Sequence, residues 1–196
     1  MLKRMVKNVA HIFSLVIVFP LYLFYLIAGA VSDKDQVFAG ITQLLSLFPG
    51  ISGSYLRVAF LSLSSDLCNQ EIYIGFGTIF SQRHTKLYSG AYIGPQCNIG
   101  QCHIEKNCLL GSGVHIMSGK QQHDFSNPDK PIREQGGIIE TIRIGEDTWI
   151  GNGSLVMANI GKKCIIGAGS VVINDIPDYS IVAGNPAKLI KSRNVG

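Results

Sequence analysis

The sequence predicts a repetitive β-structure, a stack of three-sided coils, with a hydrophobic helical segment in front of it. Three observations predict this fold class. Glycine, which disfavours helices, makes up 22 of the 196 residues. A six-residue pattern recurs through the second half of the chain, and a long apolar run precedes it. With 46% hydrophobic and only 15% charged residues, an intrinsically disordered chain is excluded and a helical bundle is disfavoured.

The first segment, residues 1–35, is predicted to associate with a membrane. Residues 9–31 contain no Asp, Glu, Lys or Arg and are almost wholly apolar. A helix of this length is long enough to cross a bilayer.

The topology of this segment has two interpretations. Lys3, Arg4 and Lys7 are expected to hold the N-terminus in the cytoplasm, so a single crossing would place the rest of the chain outside. A break at Pro20 would instead allow a re-entrant hairpin that returns the chain to the cytoplasmic side. Both remain open at the level of the sequence.

Residues 36–70 are predicted to form an amphipathic helical connector. Apolar residues recur there at near-helical spacing, namely Val37, Phe38, Ile41, Leu44, Leu45, Leu47 and Phe48. A second stretch, residues 55–63, carries a single charge at Arg57. Such stripes either lie at a membrane interface or pack against the main domain.

The pattern aliphatic–Gly–x–x–small–x recurs nine times within residues 71–183. Its units begin at Ile74, Ile93, Ile99, Ile104, Leu110, Ile144, Ile150, Ile160 and Ile166. The second position is glycine in eight units and the fifth is small in eight; the exceptions are Glu105 and His103. A six-residue period is typical of a strand followed by a corner, and three units close one triangular coil. A single coil has no core, so stacking provides the stability.

The aliphatic side chains of these units are expected to point inward and form continuous interior columns. The glycine is expected to supply corner backbone angles that a Cβ would penalise, and the small residue to fit where the corner narrows. Cys97, Cys108 and Cys164 occupy the small position, so packing is their expected role. The five cysteines form no C-x-x-C pair, which predicts reduced thiols rather than disulfides or structural zinc.

One long segment interrupts the period. Residues 117–141 are polar and turn-rich, contain SGKQQHDFSNPDKPIREQGG, and show no sixfold pattern. A long insertion in a solenoid is typical of a functional loop, and this one carries His123. Residues 184–196 form a basic tail. No basic face runs along the body between the charged termini, which disfavours a nucleic-acid binder.

These residues resemble the left-handed β-helix acyltransferases of the hexapeptide-repeat type. The likeness covers residues 72–193 and is most specific in IGEDTWIGNGSLVMANIGKKCIIGAGSVVINDIPDYSIVAGNPAKLIKSR, which is similar to the C-terminal half of sugar, antibiotic and serine O-acetyltransferases. The stretches GFGTIFSQRHTKLYSGAYIGP and SGKQQHDF are similar to members encoded with cell-surface polysaccharide synthesis. The resemblance implies a left-handed coil and a homotrimer with active sites between neighbouring subunits.

The resemblance also implies where acetyl-CoA binds. Six positions along the groove between two subunits are expected to contact it: Asn152, Ala168, Ile173, Asn174, Lys188 and Lys191. The backbone amide of Asn152 would face the thioester oxygen, and Ala168 would line the pantetheine path. The next two residues would lie near the nucleotide, and both lysines would meet the CoA phosphates. Asn174 departs from the family pattern, which commonly has lysine there.

Acyl transfer to a hydroxyl requires a group that removes the hydroxyl proton, and histidine suits this work near neutral pH. His123 resembles the family's catalytic histidine in SGKQQH and is the expected general base. Asp124 beside it is a candidate to orient the imidazole, although ordinary loop charge is the simpler interpretation. Arg83 and His84, at an early coil, are candidates to contact the acceptor or the neighbouring subunit.

The sequence therefore predicts an acetyl-CoA-dependent O-acetyltransferase that acts on a saccharide or lipid-linked glycan hydroxyl by direct transfer. Acetyl-CoA is a co-substrate, and neither a permanent cofactor nor a metal is expected. The expected location is a bacterial inner membrane, with the β-helix facing the cytoplasm. The alternatives are a sugar-amine N-acetyltransferase, a non-catalytic membrane-anchored scaffold and, least favoured, a zinc carbonic anhydrase that uses His103, His115 and His123.

Overall fold

The computed structural model describes residues 2–194, with side chains from residue 5 onward. Three helices come first: α1 (Leu2–Val31), α2 (Lys34–Ser46) and α3 (Gly50–Ser64). The side chains of Lys3 and Arg4, on which the predicted orientation of the N-terminus partly rests, lie outside the described residues.

A parallel β-solenoid follows the helices. Its strands are β1 (Leu67–Cys68), β2 (Tyr73–Ile74), β3 (Ile79–Phe80), β4 (Lys86–Leu87), β5 (Tyr92–Ile93), β6 (Asn98–Ile99), β7 (Cys102–Ile104), β8 (Leu109–Leu110), β9 (His115–Ile116), β10 (Ile142–Ile144), β11 (Trp149–Ile150), β12 (Leu155–Val156), β13 (Ile165–Ile166), β14 (Val171–Val172), β15 (Ser180–Ala183) and β16 (Lys188–Ser192). A 3₁₀ turn, Ile132–Glu134, lies in the long loop. The predicted repetitive β-fold with an N-terminal apolar helix is confirmed.

The strands form the three faces of a prism. Sheet A contains β1, β4, β7 and β10, sheet B runs in the order β2, β5, β8, β11, β13, β15, β16, and sheet C contains β3, β6, β9, β12 and β14. The chain visits A, B and C in turn, so equivalent residues of successive coils stack. In sheet B, for example, Ile93 pairs with both Ile74 and Leu110. These three side chains are fully buried, as the inward columns require.

The small position of the repeat is also buried, with one correction. Thr78, Cys97, Cys108 and Cys164 are at most 1% exposed, which agrees with a packing role. His103 does not occupy this position. The unit that begins at Ile99 has five residues instead of six, so β7 begins one residue earlier than the repeat predicts. Cys102 therefore occupies the buried small position, and His103 points outward from sheet A. All five cysteines are free and buried.

The repeat glycine has a different physical cause from the predicted one. A Cβ added at Gly145 would lie 2.4 Å from the backbone nitrogen of Lys162, and one at Gly151 would lie 2.5 Å from that of Ala168. Neither glycine has a positive φ. The requirement is therefore the close approach of the next coil. A positive φ occurs two residues later, where Gly153 (φ +68°) and Asp147 (φ +56°) show that both glycine and other residues adopt it.

Helices α2 and α3 close the open end of the first coil. Strand hydrogen bonds run along the solenoid axis, so the first coil would present unpaired groups to solvent. The Thr42 hydroxyl donates to the Phe80 carbonyl (2.9 Å) and accepts from its N–H (3.2 Å). The Ser54 hydroxyl accepts from the Ile74 N–H, and the Arg57 guanidinium donates to the Ile74 carbonyl at 2.9 Å. These contacts replace a missing coil.

The N-terminal boundary of the solenoid, the structure of the tail and the path of α1 differ from the sequence-based expectation. The solenoid begins at Leu67 rather than at residue 71, and the basic tail contains β16, which pairs antiparallel with β15. Helix α1 continues through Pro20, so the re-entrant hairpin is not formed. In the connector, Phe38, Ile41 and Leu45 are buried inside the helical cap, whereas Leu44, Leu47 and Phe48 are exposed.

Candidate active site

The inserted loop is anchored at its base to the coil that precedes it. The chain leaves sheet C after β9 and returns as β10 of sheet A, so the loop projects from the corner between these sheets. The buried Ser118 hydroxyl accepts a hydrogen bond from the Gln101 N–H at 2.9 Å, and the Ser118 carbonyl accepts one from the Glu140 N–H. The loop therefore has a fixed origin.

Two backbone hydrogen bonds join the outgoing arm of the loop, residues 119–124, to its returning arm, residues 136–140. The Ile138 N–H donates to the Gln121 carbonyl at 2.7 Å, and the Asp124 N–H donates to the Gly136 carbonyl at 2.9 Å. At Gly137 an added Cβ would lie 1.9 Å from a carbonyl oxygen of the opposite arm. Only glycine allows this close approach of the two arms. The inserted loop, which lacks the six-residue repeat, is therefore folded into a defined shape.

His123 lies between these two bonds and is exposed. Within the described part of the chain its imidazole makes no hydrogen bond. It borders an open cavity of about 370 Å³, whose other lining residues are Gln121, Asp124, Phe125, Gln135, Gly137 and Ile138. An imidazole in this position can accept a proton from a ligand in the cavity.

The Asp124 carboxylate is hydrogen-bonded to Ser126 and not to the His123 imidazole. Its carboxylate accepts hydrogen bonds from the Ser126 N–H at 2.9 Å and from the Ser126 hydroxyl at 3.2 Å. These bonds to the charged form lower the pKa of Asp124. The group serves the turn, which agrees with the simpler of the two interpretations.

Five cavity residues were not singled out from the sequence, namely Gln121, Phe125, Gln135, Gly137 and Ile138. Phe125 and Ile138 are 75% and 56% exposed, and apolar side chains in an otherwise polar loop are the signal that could have found them. The Gln135 amide donates to the carbonyls of Asn127 and Lys130 and so fixes the tip of the loop. No sequence signal distinguishes this glutamine from its neighbours.

Asn152 and Ala168 lie on successive turns at the corner between sheets B and C. The Asn152 side chain accepts a hydrogen bond from the Ser112 N–H at 3.1 Å, which fixes it within the turn. The backbone N–H groups of Asn152 and Ala168 donate to no acceptor among the described residues. Two stacked and unused amide donors are suited to an oxygen that develops negative charge.

The remaining donor-site candidates lie farther along the solenoid. Ile173 and Asn174 follow β14 at the corner between sheets C and A, half-buried and exposed respectively. Lys188 and Lys191 are exposed on β16, and neither forms an ion pair with a described residue. Arg193, which the sequence did not single out for this role, donates to the Lys163 carbonyl at 2.8 Å and adds a further cation at this end.

Arg83 and His84 have partners within their own subunit. The Arg83 guanidinium pairs with the Asp35 carboxylate at 2.9 Å, and the Arg83 N–H donates to the other oxygen of the same group. His84 Nδ1 lies 3.1 Å from Asp66 Oδ1. Arg83 therefore ties the start of α2 to the first coil.

The subunit does not bring all candidates together. The His123 loop and Asn174 share the corner between sheets C and A, whereas Asn152 and Ala168 lie at the opposite edge of sheet C. Lys188 and Lys191 lie at the edge of sheet B. Within residues 2–194, no group of three or more His, Cys, Asp or Glu is placed to hold a metal ion.

Comparisons with known proteins identify the family. Residues 141–173 match the family model described as the hexapeptide repeat of succinyl-transferase. The chain is 32% identical over 151 residues to a chloramphenicol acetyltransferase from Klebsiella aerogenes, covering 67% of this chain and 72% of the relative. It is 44% identical over 75 residues to a probable acetyltransferase from Mycobacterium tuberculosis, or 37% of this chain and 25% of the relative. The protein therefore belongs to the hexapeptide-repeat acyltransferase family.

Solved structures agree on the fold. A maltose O-acetyltransferase from Clostridium difficile superposes with a TM-score of 0.70 at 20% identity, covering 83% of this chain and 90% of that one. An N-acyltransferase from Bacillus cereus, solved with dTDP and 3-hydroxybutyryl-CoA, superposes with a TM-score of 0.53 at 20% identity over 63% of this chain and 70% of that one. The chain spans a quarter of the mycobacterial relative and about half (53%) of a second relative, a chloramphenicol acetyltransferase from Escherichia coli.

Proposed function

We propose that the protein is an acetyl-CoA-dependent O-acetyltransferase whose acceptor is a saccharide hydroxyl. The observation that carries this proposal is His123, whose imidazole makes no hydrogen bond with a described residue and lies at the edge of an open cavity in a defined loop of an acyltransferase fold. Neither a bound cofactor nor a metal takes part, and acetyl-CoA is consumed as a co-substrate.

In the proposed reaction His123 accepts the proton of the acceptor hydroxyl while that oxygen attacks the thioester carbonyl. The carbonyl oxygen becomes an oxyanion, which the free N–H of Asn152 stabilises. The carbon–sulfur bond then breaks, the imidazolium returns its proton to the CoA thiolate, and the products are the acetyl ester and CoA. No covalent enzyme intermediate is needed, because the nucleophile is the acceptor itself.

The proposal requires a neighbouring subunit. The His123 loop and the turns with Asn152 and Ala168 leave one subunit from different corners, so a homotrimer would complete each site with parts of two subunits. The acyl donor would lie along this interface, with Ile173 and Asn174 near its nucleotide. The cations Lys188 and Lys191 would face its phosphates.

The acceptor is proposed to be a sugar destined for a surface polysaccharide, modified at the cytoplasmic face of a bacterial inner membrane. The apolar helix α1, of which residues 5–31 are long and apolar enough to span a bilayer, supports membrane association. The solved O-acetyltransferase named for maltose supports a sugar acceptor. Arg83 and His84 are proposed to act on the acceptor only indirectly, since both are paired within the subunit.

The test of the base is the variant His123→Gln, which keeps the size of the side chain and removes the proton acceptor. We expect kcat/KM for acetyl transfer to fall about 10²–10⁴-fold while the Kd for acetyl-CoA is unchanged. His103→Gln is the matched control, because this outward strand histidine lies on sheet A, away from the cavity. Product mass and loss of acetyl-CoA are the measurements. Wild-type turnover in His123→Gln would refute the assignment of the base.

The donor site has its own test. A ligand at 100 times its Kd stabilises the folded state by about 2.7 kcal/mol, so acetyl-CoA and CoA should raise the midpoint of thermal unfolding, whereas AMP should not. Lys188→Ala should reduce this stabilisation, because it removes an exposed cation expected to face phosphate. An intact oligomer that acetyl-CoA does not stabilise would instead favour a scaffold or another donor.

A second candidate function is transfer to an amine. The B. cereus neighbour is an N-acyltransferase, and an amine acceptor needs the same kind of base. Several relatives are chloramphenicol acetyltransferases, so chloramphenicol, a non-sugar acceptor with hydroxyl groups, should be assayed beside sugars and amino sugars. Alkaline hydrolysis separates the outcomes, since an ester product is cleaved under conditions that leave an amide intact.

A further inference from the structure

Helix α1 is the outermost layer at one end of the molecule. Because α2 and α3 bind the free backbone groups of the first coil, they lie across the end of the solenoid rather than along its side. Helix α1 packs chiefly against α2 and α3. Near its N-terminal end, Lys7, Asn8 and His11 border Gln70 and Glu71 of the first coil. Over residues 14–25 of α1, the layers at this end therefore run from coil to helix pair to α1.

Helix α1 has two faces that differ in what they contact. Ser14, Val18 and Tyr25 are buried against the other helices, and Tyr25 lies with its ring edge toward Phe38 and Phe60. The opposite face is exposed and apolar; its large side chains are Met5, Val6, Val9, Ile12, Phe13, Val16, Ile17, Phe19, Leu23, Phe24, Leu26, Ile27 and Val31. At 100° per residue these positions cover about half of the helix circumference.

From these two faces we propose that α1 lies in the plane of a lipid bilayer, with its apolar face in one leaflet, and does not cross the membrane. This proposal extends the membrane association in the proposed function by fixing how the protein sits on the bilayer. A crossing helix would place Ser14, Val18 and Tyr25 at the depth of the hydrocarbon. The helices α2 and α3 that cover them, including the buried Arg57, would then have to enter the membrane.

Lipid is a better occupant of this face than another helix or water. A partner helix covers a stripe of roughly 100°, so a second copy would leave much of the half-cylinder in water. A contiguous patch of thirteen large apolar side chains also exceeds what soluble monomers commonly expose.

This orientation places the candidate active site far from the lipid. Packed helices lie about 8–10 Å apart and successive coils about 4.8 Å apart. The His123 loop leaves between the third and fourth coils. With a further spacing of about 10 Å between the helix pair and the first coil, its base lies roughly 30 Å from the axis of α1 where α2 and α3 separate the two. If the proposed function holds, the acceptor hydroxyl belongs to a water-soluble saccharide, and a single sugar on a lipid diphosphate does not reach the site.

Vesicle binding tests the surface. Phe13→Glu combined with Phe24→Glu puts two charges on the apolar face, and Gln36→Glu combined with Gln43→Glu puts the same charge on exposed positions of α2. With vesicles of phosphatidylcholine and phosphatidylglycerol, we expect at least tenfold weaker binding for the first variant and unchanged binding for the second. The full chain is used, with circular dichroism to verify folding. Equal binding by both variants, or dissociation of an oligomer without loss of vesicle binding, would refute the proposal.

Cysteine accessibility tests the topology. The five native cysteines are buried, so a cysteine introduced at Lys7 or at Gln43, both exposed and outside the apolar face, reports its own position. In sealed vesicles prepared from the host membrane, a membrane-impermeant maleimide should label Lys7→Cys and Gln43→Cys from the same side. Labelling from opposite sides would show a crossing helix and overturn the proposal.

A third measurement separates this proposal from the proposed function. The double variant Phe13→Glu, Phe24→Glu, which is expected to bind vesicles weakly, should keep its turnover on a soluble saccharide within about twofold of the wild type. Wild-type protein bound to vesicles should acetylate the soluble saccharide but not a lipid-linked monosaccharide. Efficient acetylation of the lipid-linked monosaccharide would refute the predicted distance between the active site and the membrane. Vesicle binding without any acetyl transfer would refute the proposed reaction and leave the orientation of α1 supported.

Discussion

Buried thiols give the solenoid a defined response to alkaline pH. Burial raises the pKa of Cys108 to about 12 from an ordinary value of 9.0, so the folded state keeps its proton where the unfolded thiol ionises. The contribution to stability is complete below about pH 9 and is lost as pH rises toward the folded value, by about 1.4 kcal/mol per pH unit.

Cys108→Ala tests this linkage. We expect the variant to lose less unfolding free energy than the wild type between pH 8 and pH 10, by about 1.4 kcal/mol, because the buried thiol has been removed. Urea unfolding at the two pH values is the measurement. Equal losses in both proteins would contradict the assigned linkage.

Arg57 is the second residue whose environment makes a sharp prediction. It is 2% exposed and donates only to carbonyl groups, those of Ile74, Leu45 and Phe48. Arg57→Met should lower the free energy of unfolding by about 2–4 kcal/mol, because buried acceptors lose their donors. Arg57→Lys should recover only part of this, since an ammonium lacks the planar arrangement of donors. Stability equal to the wild type in Arg57→Met would contradict this role in the cap.

At the scale of the element, two glycines with the same substitution should behave in opposite ways. Gly145→Ala should destabilise by about 1–3 kcal/mol, because its Cβ would meet the backbone of the next coil at 2.4 Å. Gly40→Ala should stabilise by about 0.5–1 kcal/mol, because Gly40 lies within α2 with open space around it. Chemical denaturation of both variants checks the pair, and a shared sign would contradict it.

Helix α1 remains continuous although it contains Pro20. Proline removes a helix hydrogen bond, so Pro20 predicted a break, yet the helix continues through it. Pro20 lies on the exposed face, while the opposite face is held by Val18 and Tyr25 against the other helices. Tertiary packing of one face thus maintains the helix where the local rule predicted an interruption.

At the scale of the whole molecule, sheet B carries an apolar outer column that fits the expected homotrimer. Tyr92, Leu109 and Trp149 are neighbours in register and are each 41–51% exposed. Trp149→Glu should yield monomers and abolish turnover, because each site is proposed to need two subunits. His103→Glu is the control: it adds the same charge on sheet A, beside Lys86 and Arg143. Light scattering gives the mass, and a trimer with Trp149→Glu would place the interface elsewhere.

The sequence by itself determined the repeat, the inward columns, the inserted loop and the apolar helix, because each depends on periodicity or composition along the chain. Ile74, Ile93 and Leu110 could be placed inside from their spacing alone. Only the tertiary structure decided that Cys102 rather than His103 is buried, since a coil shortened by one residue shifts the pattern. It also decided that Asp124 serves its own turn and Arg83 a helix start, because hydrogen-bond partners distant in the chain, or set by loop geometry, leave no periodic signal.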